Sequence, residues 1–301
     1  MKAALLTAFG GVEGLQVQEV PAPTPGPGEI QVRMAGASLN PIDWKLRSGA
    51  YQSFMPLRLP AILGRDASGT VTALGPGVTA FNVGDRVLGR VNSAHAEVIV
   101  APVDAWAPLP ARMDLVDAAA LPLVLLTGAQ LIDEAGQVRA GQTVLITGAT
   151  GSVGRVAVFV AKARGARVIA GVRGQHKTEA AALGAHAVVA LDDDGAVADL
   201  PPLDVLADTV GGDTTQKLLP RLKPGAIVAS VVGPPAGAKE RGLVVRALLA
   251  HSDARRLGEL AAAVAAGELI IPIVKRMPLA DIRQAHQLAE KGAGGKVIVT
   301  G

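Results

Sequence analysis

The stretch Val144-Leu-Ile-Thr-Gly-Ala-Thr-Gly-Ser-Val-Gly154 fixes how this chain is read. An aliphatic run with strand character, Gln142–Thr147, enters a glycine turn, and a run of small residues with helical character, Ser152–Arg164, opens inside it. Gly151 allows backbone to approach an anionic ligand without a Cβ in the way. Gly154 allows helix and strand to pack closely, and the N–H groups of Ser152 and Val153 face the ligand at the positive helix end. Ala149 stands where a Gly-x-Gly-x-x-Gly pattern has its first glycine, so the turn after Gly148 has to tolerate a methyl group. No Lys-Ser/Thr pair follows, which excludes an ATP-type loop. The pattern points to a dinucleotide phosphate cradle; the competing reading is a tight turn with no ligand.

Downstream, strands and helices alternate. Strand Arg167–Ala170, helix His176–Leu183, strand Ala187–Val189, strand Val205–Asp208, helix Thr214–Leu222 and strand Ala226–Val231 predict a parallel sheet with right-handed crossovers. At the end of the second strand an NAD-type site usually carries an acid for the ribose hydroxyls. This chain has Arg173 and Lys177 there, and the nearest acid, Glu179, lies in the following helix. Two cations suit a 2′-phosphate, so the expected cofactor is NADP(H).

Upstream, residues 1 to about 110 read as short strands between Gly and Pro turns, Leu15–Val20 and Glu29–Ala35 flanking PAPTPGPGE, followed by Gly69–Leu74, Asp85–Leu88 and Glu97–Val100. A helix is expected over roughly 114–135. After the loop Gly233–Gly242 come a strand at Leu243–Leu249, a helix at Asp253–Ala266, a helix near Asp281–Glu290 and a last strand, Lys296–Thr300. The expected organisation is a mostly β domain at 1–113, a nucleotide-binding domain at 114–250 and a C-terminal segment, 251–301, returning toward the first domain.

Composition narrows the function classes. With 50% hydrophobic residues, 36 glycines and 2% aromatics in 301 residues, the core is aliphatic and turn-rich. Lys and Arg total 29 against 26 acids, with no basic block and few rings to stack bases, so nucleic acid is not an expected partner. There is no cysteine, which removes disulfides, thiol nucleophiles and thiolate metal ligands. The apolar stretch Ala118–Ile132 contains Pro122 and falls short of the roughly 18 residues of a membrane span, so it reads as a buried helix. A membrane partner is not expected, nor is a signal peptide at the N-terminus, and the expected location is cytoplasmic.

Several further segments carry a family resemblance: Asn40-Pro-Ile-Asp43 with Arg47 and Gly49, and Gly64-Arg-Asp-Ala-Ser-Gly69 with Gly75, Val78, Phe81 and Gly84-Asp-Arg-Val87. Leu183-Gly-Ala185, Val210-Gly-Gly212 and Gly295-Lys-Val-Ile-Val299 complete the set. With the Thr147–Gly154 loop, the chain resembles the zinc-independent quinone oxidoreductases of the medium-chain dehydrogenase/reductase superfamily. That resemblance implies an α/β protein with a Rossmann NADP-binding domain, a GroES-like and mostly β substrate domain, a cleft between them, and a homodimer. It implies hydride transfer from NADPH to a small quinone or enone. Asn40, Tyr51 and Thr127 then become the expected catalytic residues: Asn40 as an amide positioning cofactor or acceptor, Tyr51 as a wall or donor, and Thr127 as a hydroxyl toward the cofactor. The expected cofactor contacts are Asn40, Thr127, Gly148, Ala149, Gly151, Ser152, Val153, Gly154, Arg173, Lys177, Val210 and Gly233. The resemblance implies a structural role for Asp43 in orienting the Asn-Pro loop; the competing reading makes Asn40 and Asp43 turn caps.

Zinc-dependent relatives carry Cys and Gly-His-Glu where this chain has Asn40 and Gly64-Arg65-Asp66, and the five histidines form no close cluster in sequence. No metal is therefore expected, and Arg65 and Asp66 read as a pair with each other. A short-chain reductase is excluded because the loop sits mid-chain and Tyr51, the one tyrosine, has Met55 rather than lysine one helical turn on. Two alternatives remain: an enoyl or alkenal double-bond reductase of the same fold, and an NADPH-binding redox sensor or structural protein with little turnover.

Overall fold

The computed structural model describes residues 1–301, which divide into two compact units: Met1–Leu123 with Ser252–Gly301, and Val124–His251. The first boundary falls at Leu123/Val124 rather than at 113/114, because residues 114–123 are tied to the first unit. There the Ser68 hydroxyl donates to the Leu115 carbonyl, and the Leu123 N–H donates to Asp66 at 2.6 Å.

In chain order the first stretch supplies β1 (Lys2–Leu6), β2 (Leu15–Glu19), β3 (Glu29–Ser38), α1 (Pro41–Arg47), β4 (Ala61–Ile62), β5 (Asp66–Leu74), β6 (Arg86–Arg90), β7 (Val98–Pro102) and β8 (Trp106–Pro108). The second unit supplies α2 (Pro122–Gln130, which begins in the first), β9 (Thr143–Thr147), α3 (Ser152–Ala163), β10 (Arg167–Val172), α4 (Lys177–Ala181) and β11 (Ala187–Ala190). It continues with α5 (Asp194–Ala198), β12 (Leu203–Asp208), α6 (Gly212–Leu218), β13 (Leu222–Ser230) and β14 (Val244–Ala247). The chain closes with α7 (Ala254–Ala265), β15 (Ile273–Pro278), α8 (Ile282–Glu290) and β16 (Lys296–Thr300).

Those last strands complete the first unit. β16 runs antiparallel to β3, pairing Ile298 with Ser38 and Thr300 with Gly36, in a sheet ordered β15-β16-β3-β5-β6-β8 with β7 also on β3. A second, three-stranded sheet has the order β2-β1-β4. Leu6, Ile30, Val32, Val71 and Val299 fill the core of this unit. The C-terminal segment is thus part of one β fold with residues 1–123.

In the second unit all pairings are parallel and the order is β11-β10-β9-β12-β13-β14. This is the doubly wound order that reverses direction between its first and fourth strands, here β9 and β12. Val144, Leu145 and Ile146 of β9 are fully buried, as continuous aliphatic strands are when helices cover both faces.

The single helix expected over 114–135 is broken into three pieces. A 3₁₀ turn at Asp117–Ala120 precedes α2, whose first residue is Pro122, and α2 runs into a π-type turn at Leu131–Ala135. Proline has no N–H to continue the preceding turn, so the helix restarts at it. The whole stretch Asp117–Ala135 spans 19 residues, long and apolar enough by length and composition to cross a membrane, yet 83% of its apolar window is buried inside the protein. Helix α5 and strand β15 lie where no regular element was expected; β1, β4 and β8 are strands not singled out within the stretch read as strands and turns, and α1 is a helix within it.

Candidate functional site

The glycine loop of the second unit has the shape its sequence asks for. Gly148 takes the left-handed conformation (φ +61°), so the turn falls on a glycine and Ala149, fully buried, does not bear it. The methyl group that weakened the sequence match therefore costs nothing. A Cβ at Gly154 would lie 2.1 Å from the Gly148 carbonyl oxygen, which makes this the close helix–strand contact. Gly151 caps α3 in an extended conformation with no side chain capping the helix, leaving the first N–H groups, at Ser152 and Val153, directed out of the helix end. A Cβ added at Gly151 meets only the Gly148 carbonyl oxygen, at 3.2 Å, so the concave side of the loop is open. These features fit a dinucleotide pyrophosphate.

A buried network fixes the sheet behind the loop. Asp208 ends β12 and its Oδ1 accepts from the Thr147 hydroxyl at 2.9 Å and from the N–H groups of Val210 and Gly211 at 3.1 and 3.0 Å. Its Oδ2 accepts from the Ser230 hydroxyl at 3.1 Å. One carboxylate thus ties the carboxyl ends of β9, β12 and β13 at the point where strand order reverses. Val210 projects from this corner, 49% exposed, and Gly233 (φ +112°) has no neighbour near its Cβ position. On α2, a Cβ at Gly128 would lie 2.5 Å from Val156 Cβ and 2.8 Å from the Val153 carbonyl oxygen, so α2 crosses the first turns of α3 in close contact. The Thr127 hydroxyl makes no hydrogen bond and the residue is 9% exposed.

At the end of β10 the charges are sorted. Arg173 and Lys177 are exposed, with no acidic partner and no hydrogen bond from their side chains. Glu179 is held by Arg155 and lies 3.4 Å from His176 Nδ1. Asp192 accepts the Gly174 N–H at 2.8 Å.

In the first unit a polar cluster surrounds Asn40. Its Nδ2 donates to Asp66 Oδ2 at 2.8 Å, and its Oδ1 accepts from Lys296 Nζ at 2.5 Å. Lys296 also donates to the Leu39 carbonyl at 3.1 Å and lies 3.5 Å from Asp66, which further accepts from the Ser38 hydroxyl at 2.7 Å. Asp43 Oδ2 accepts the Asn40 N–H at 2.8 Å, whereas its Oδ1 has no partner. Burial pushes the Asp43 carboxyl up to about 7, against the Asn40 N–H and the Lys296 charge that favour its ionised form. Burial also pushes the Lys296 ammonium below its usual range, with Asp66 and Asp43 pulling it back.

Family models match segments in both units. Residues 26–110 match the model of the alcohol dehydrogenase GroES-like domain, and residues 183–299 match that of zinc-binding dehydrogenases. A quinone oxidoreductase of Pseudomonas aeruginosa is 31% identical over 99% of both chains. The chain belongs to the zinc-independent quinone oxidoreductases of the medium-chain dehydrogenase/reductase superfamily. A 2-haloacrylate reductase of Burkholderia is 30% identical over 95% of this chain and 94% of its own. The Escherichia coli quinone oxidoreductase solved in complex with NADPH superposes with a TM-score of 0.88 at 28% identity, covering 100% of both chains. Other curated relatives match over little more than half of their own length, 52% to 58%.

Several of the expected site residues have partners that the sequence does not show. Asn40 is 2% exposed with both ends of its amide engaged inside its own unit. Its Nδ2 also lies 3.4 Å from the Ser38 carbonyl, so the amide is engaged within this cluster. Arg65 and Asp66 do not pair: Arg65 donates to Asn92, and Asp66 belongs to the Asn40 cluster. Zinc does not fit here, because the amide and carboxylate at the positions of a metal's ligands already hold the Lys296 ammonium. Tyr51 is half-buried, its hydroxyl 3.1 Å from Lys45 Nζ and its ring edge-on to the exposed Phe54. Asp208 and Lys296 are the residues the sequence reading passed over. The only local signals were the acid ending a strand before Val210-Gly-Gly212 and the lysine of the closing Gly295-Lys-Val-Ile-Val299 segment. Two histidines far apart in sequence also meet: the buried rings of His95 and His286 stand edge-to-face at 5.7 Å.

Proposed function

We propose that the protein is an NADPH-dependent, zinc-independent oxidoreductase that reduces a small quinone or conjugated carbonyl. The observation that carries this reading is the open glycine cradle on α3 combined with the unpartnered Arg173 and Lys177 at the end of β10. NADPH, when bound, supplies the hydride; quinones and enones accept it because conjugation has already activated the receiving carbon. The chain's part is binding and orientation. The N–H groups of Ser152 and Val153 hold the pyrophosphate, with Gly148, Ala149, Gly151 and Gly154 shaping the turn. Arg173 and Lys177 hold the 2′-phosphate, Arg as a planar fork and Lys as a point charge. Thr127 directs its free hydroxyl toward the cofactor, and Val210 and Gly233 line its path.

Tyr51 serves the acceptor, its hydroxyl polarised by Lys45 and available to a developing oxyanion. Asn40, locked by Lys296 and Asp66, holds the backbone of the loop that carries α1. The haloacrylate-reducing relative of full length supports conjugated double bonds as a second acceptor class beside quinones. A homodimer in the cytoplasm, without nucleic-acid or membrane partners, belongs to the same reading and is tested by light scattering and cell fractionation.

The deciding assay follows NADPH absorbance with chelator-treated protein against a panel of quinones and enones, with NADH in parallel. Acceptor-dependent NADPH oxidation, much slower with NADH, is the expected result. Equal rates with NADH would remove the cofactor assignment. Tight NADPH binding without turnover on any acceptor would make the protein a sensor or structural partner instead.

A further inference from the structure

Arg155 follows directly on the last glycine of the loop, in the first turn of α3. Its Nε donates to the Thr150 carbonyl at 2.9 Å, inside the loop itself. Its Nη2 donates to Glu179 Oε1 on α4, and the other Glu179 oxygen faces His176 Nδ1 at 3.4 Å. The arginine side chain is 11% exposed and the glutamate 45%, so the pair runs from the flank of the loop to the surface at the first turn of α4, the helix that Lys177 opens. Asp192, the other acid at this edge, is engaged by the Gly174 N–H.

The arrangement bears on cofactor choice. A carboxylate at this edge of a doubly wound sheet accepts from ribose hydroxyls and repels a 2′-phosphate, whose charge approaches two units. Glu179 is placed two residues beyond Lys177, and its effect on that phosphate depends on whether a cation neutralises it. We infer that Arg155 is a positioning residue for cofactor selectivity: by holding Glu179 it keeps a bare carboxylate away from Arg173 and Lys177. The inference rests on the NADPH reading above and adds to it a residue whose side chain is occupied by the loop carbonyl and Glu179. Because the same guanidinium braces the Thr150 carbonyl, loop shape and charge neutralisation are joined in one side chain.

The test is a double-mutant cycle on the full chain, with dissociation constants for NADPH and NADH read from nicotinamide fluorescence. Arg155→Gln is expected to weaken NADPH about tenfold while leaving NADH within about twofold, since it frees one charge near a phosphate. Glu179→Gln alone is expected to change either constant by less than about twofold, and in the Arg155→Gln background to restore NADPH to within about threefold of wild type. Added salt should narrow the Arg155→Gln loss. Should Arg155→Gln fold poorly, Glu179→Asp withdraws the carboxylate from the guanidinium while leaving the Thr150 contact, and should lower NADPH affinity selectively. Equal loss of both cofactors, or no recovery in the double variant, reduces Arg155 to a loop brace and overturns the inference. Wild-type protein with no NADPH preference overturns the cofactor reading and the inference with it; a wild-type preference untouched by these variants overturns the inference alone.

Discussion

Lys296 places its ammonium 2.5 Å from the amide oxygen of Asn40, joining the last strand of the chain to the loop before α1 across 256 residues. With Asp66 it forms a buried cluster of amide, carboxylate and ammonium in which each member satisfies another. Removing one member leaves the others desolvated and unpaired, which typically costs about 3–5 kcal/mol for a buried charge pair. Lys296→Met should therefore lower stability by about that amount in urea unfolding. Pairing it with Asp66→Asn should recover more than half of the loss. A cost below about 1 kcal/mol for Lys296→Met would show that the cluster does not hold the loop.

Asp43 in the same region makes stability fall with rising pH. Burial lifts its carboxyl from 3.8 to about 7, so the folded state binds its proton more tightly than the unfolded state does. The contribution is complete below 3.8 and is lost as pH rises to about 7, each pH unit of displacement being worth about 1.4 kcal/mol. Asp43→Asn keeps an oxygen for the Asn40 N–H and removes the titration. Relative to this variant, wild type should lose stability between pH 4 and 7. Parallel pH profiles for the two proteins would exclude Asp43 as the source.

The buried histidines act in the opposite sense. Burial pushes His95 down to about 4; His286, with His95 and the Arg47 charge beside it, is pushed down to about 2. Both stay neutral in the fold and charge readily once exposed. Their contribution is present above the ordinary histidine value and is lost as pH falls from about 6.5 through the folded values. His95→Asn, neutral at every pH in this range, should move the acid unfolding midpoint to lower pH, read by circular dichroism. An unchanged midpoint would show that other groups govern acid unfolding.

The glycine loop was legible because its physics is local. A strand, a glycine turn and the start of a helix lie within one short segment, so the roles of Gly151 and Gly154 could be assigned without neighbours, whereas the left-handed turn falls on Gly148 rather than at Ala149. The alternating pattern after it gave the parallel sheet for the same reason. Asp208 was not legible, because its partners Thr147 and Ser230 sit on two other strands and a strand-ending acid has no distinctive signal. Asn40 was singled out, yet its engagement by Asp66 and Lys296 depends on pairing β3 with β16, a contact set by tertiary register. The His95–His286 pair has the same origin. The helix expected over 114–135 failed locally instead: hydrophobic content outweighed Pro122, whose missing N–H restarts the helix.

Gly151 and Gly154 offer the sharpest separation of folding from binding. A Cβ at Gly154 lands 2.1 Å from a backbone oxygen of the same loop, and a backbone atom cannot yield as a flexible side chain would. Gly154→Ala should therefore destabilise the second unit by about 2 kcal/mol, as overpacked substitutions do, and weaken NADPH binding together with it. At Gly151 the φ of −68° suits alanine, and the one near neighbour lies at 3.2 Å. Gly151→Ala should cost less than about 1 kcal/mol in stability. The added methyl nevertheless stands on the open side of the loop, where a pyrophosphate needs close approach to the backbone. NADPH affinity should then fall at least about tenfold in a protein whose unfolding curve is nearly that of wild type. Unchanged NADPH affinity in Gly151→Ala would place the cofactor elsewhere, and equal destabilisation by both substitutions would show that the loop has no open face.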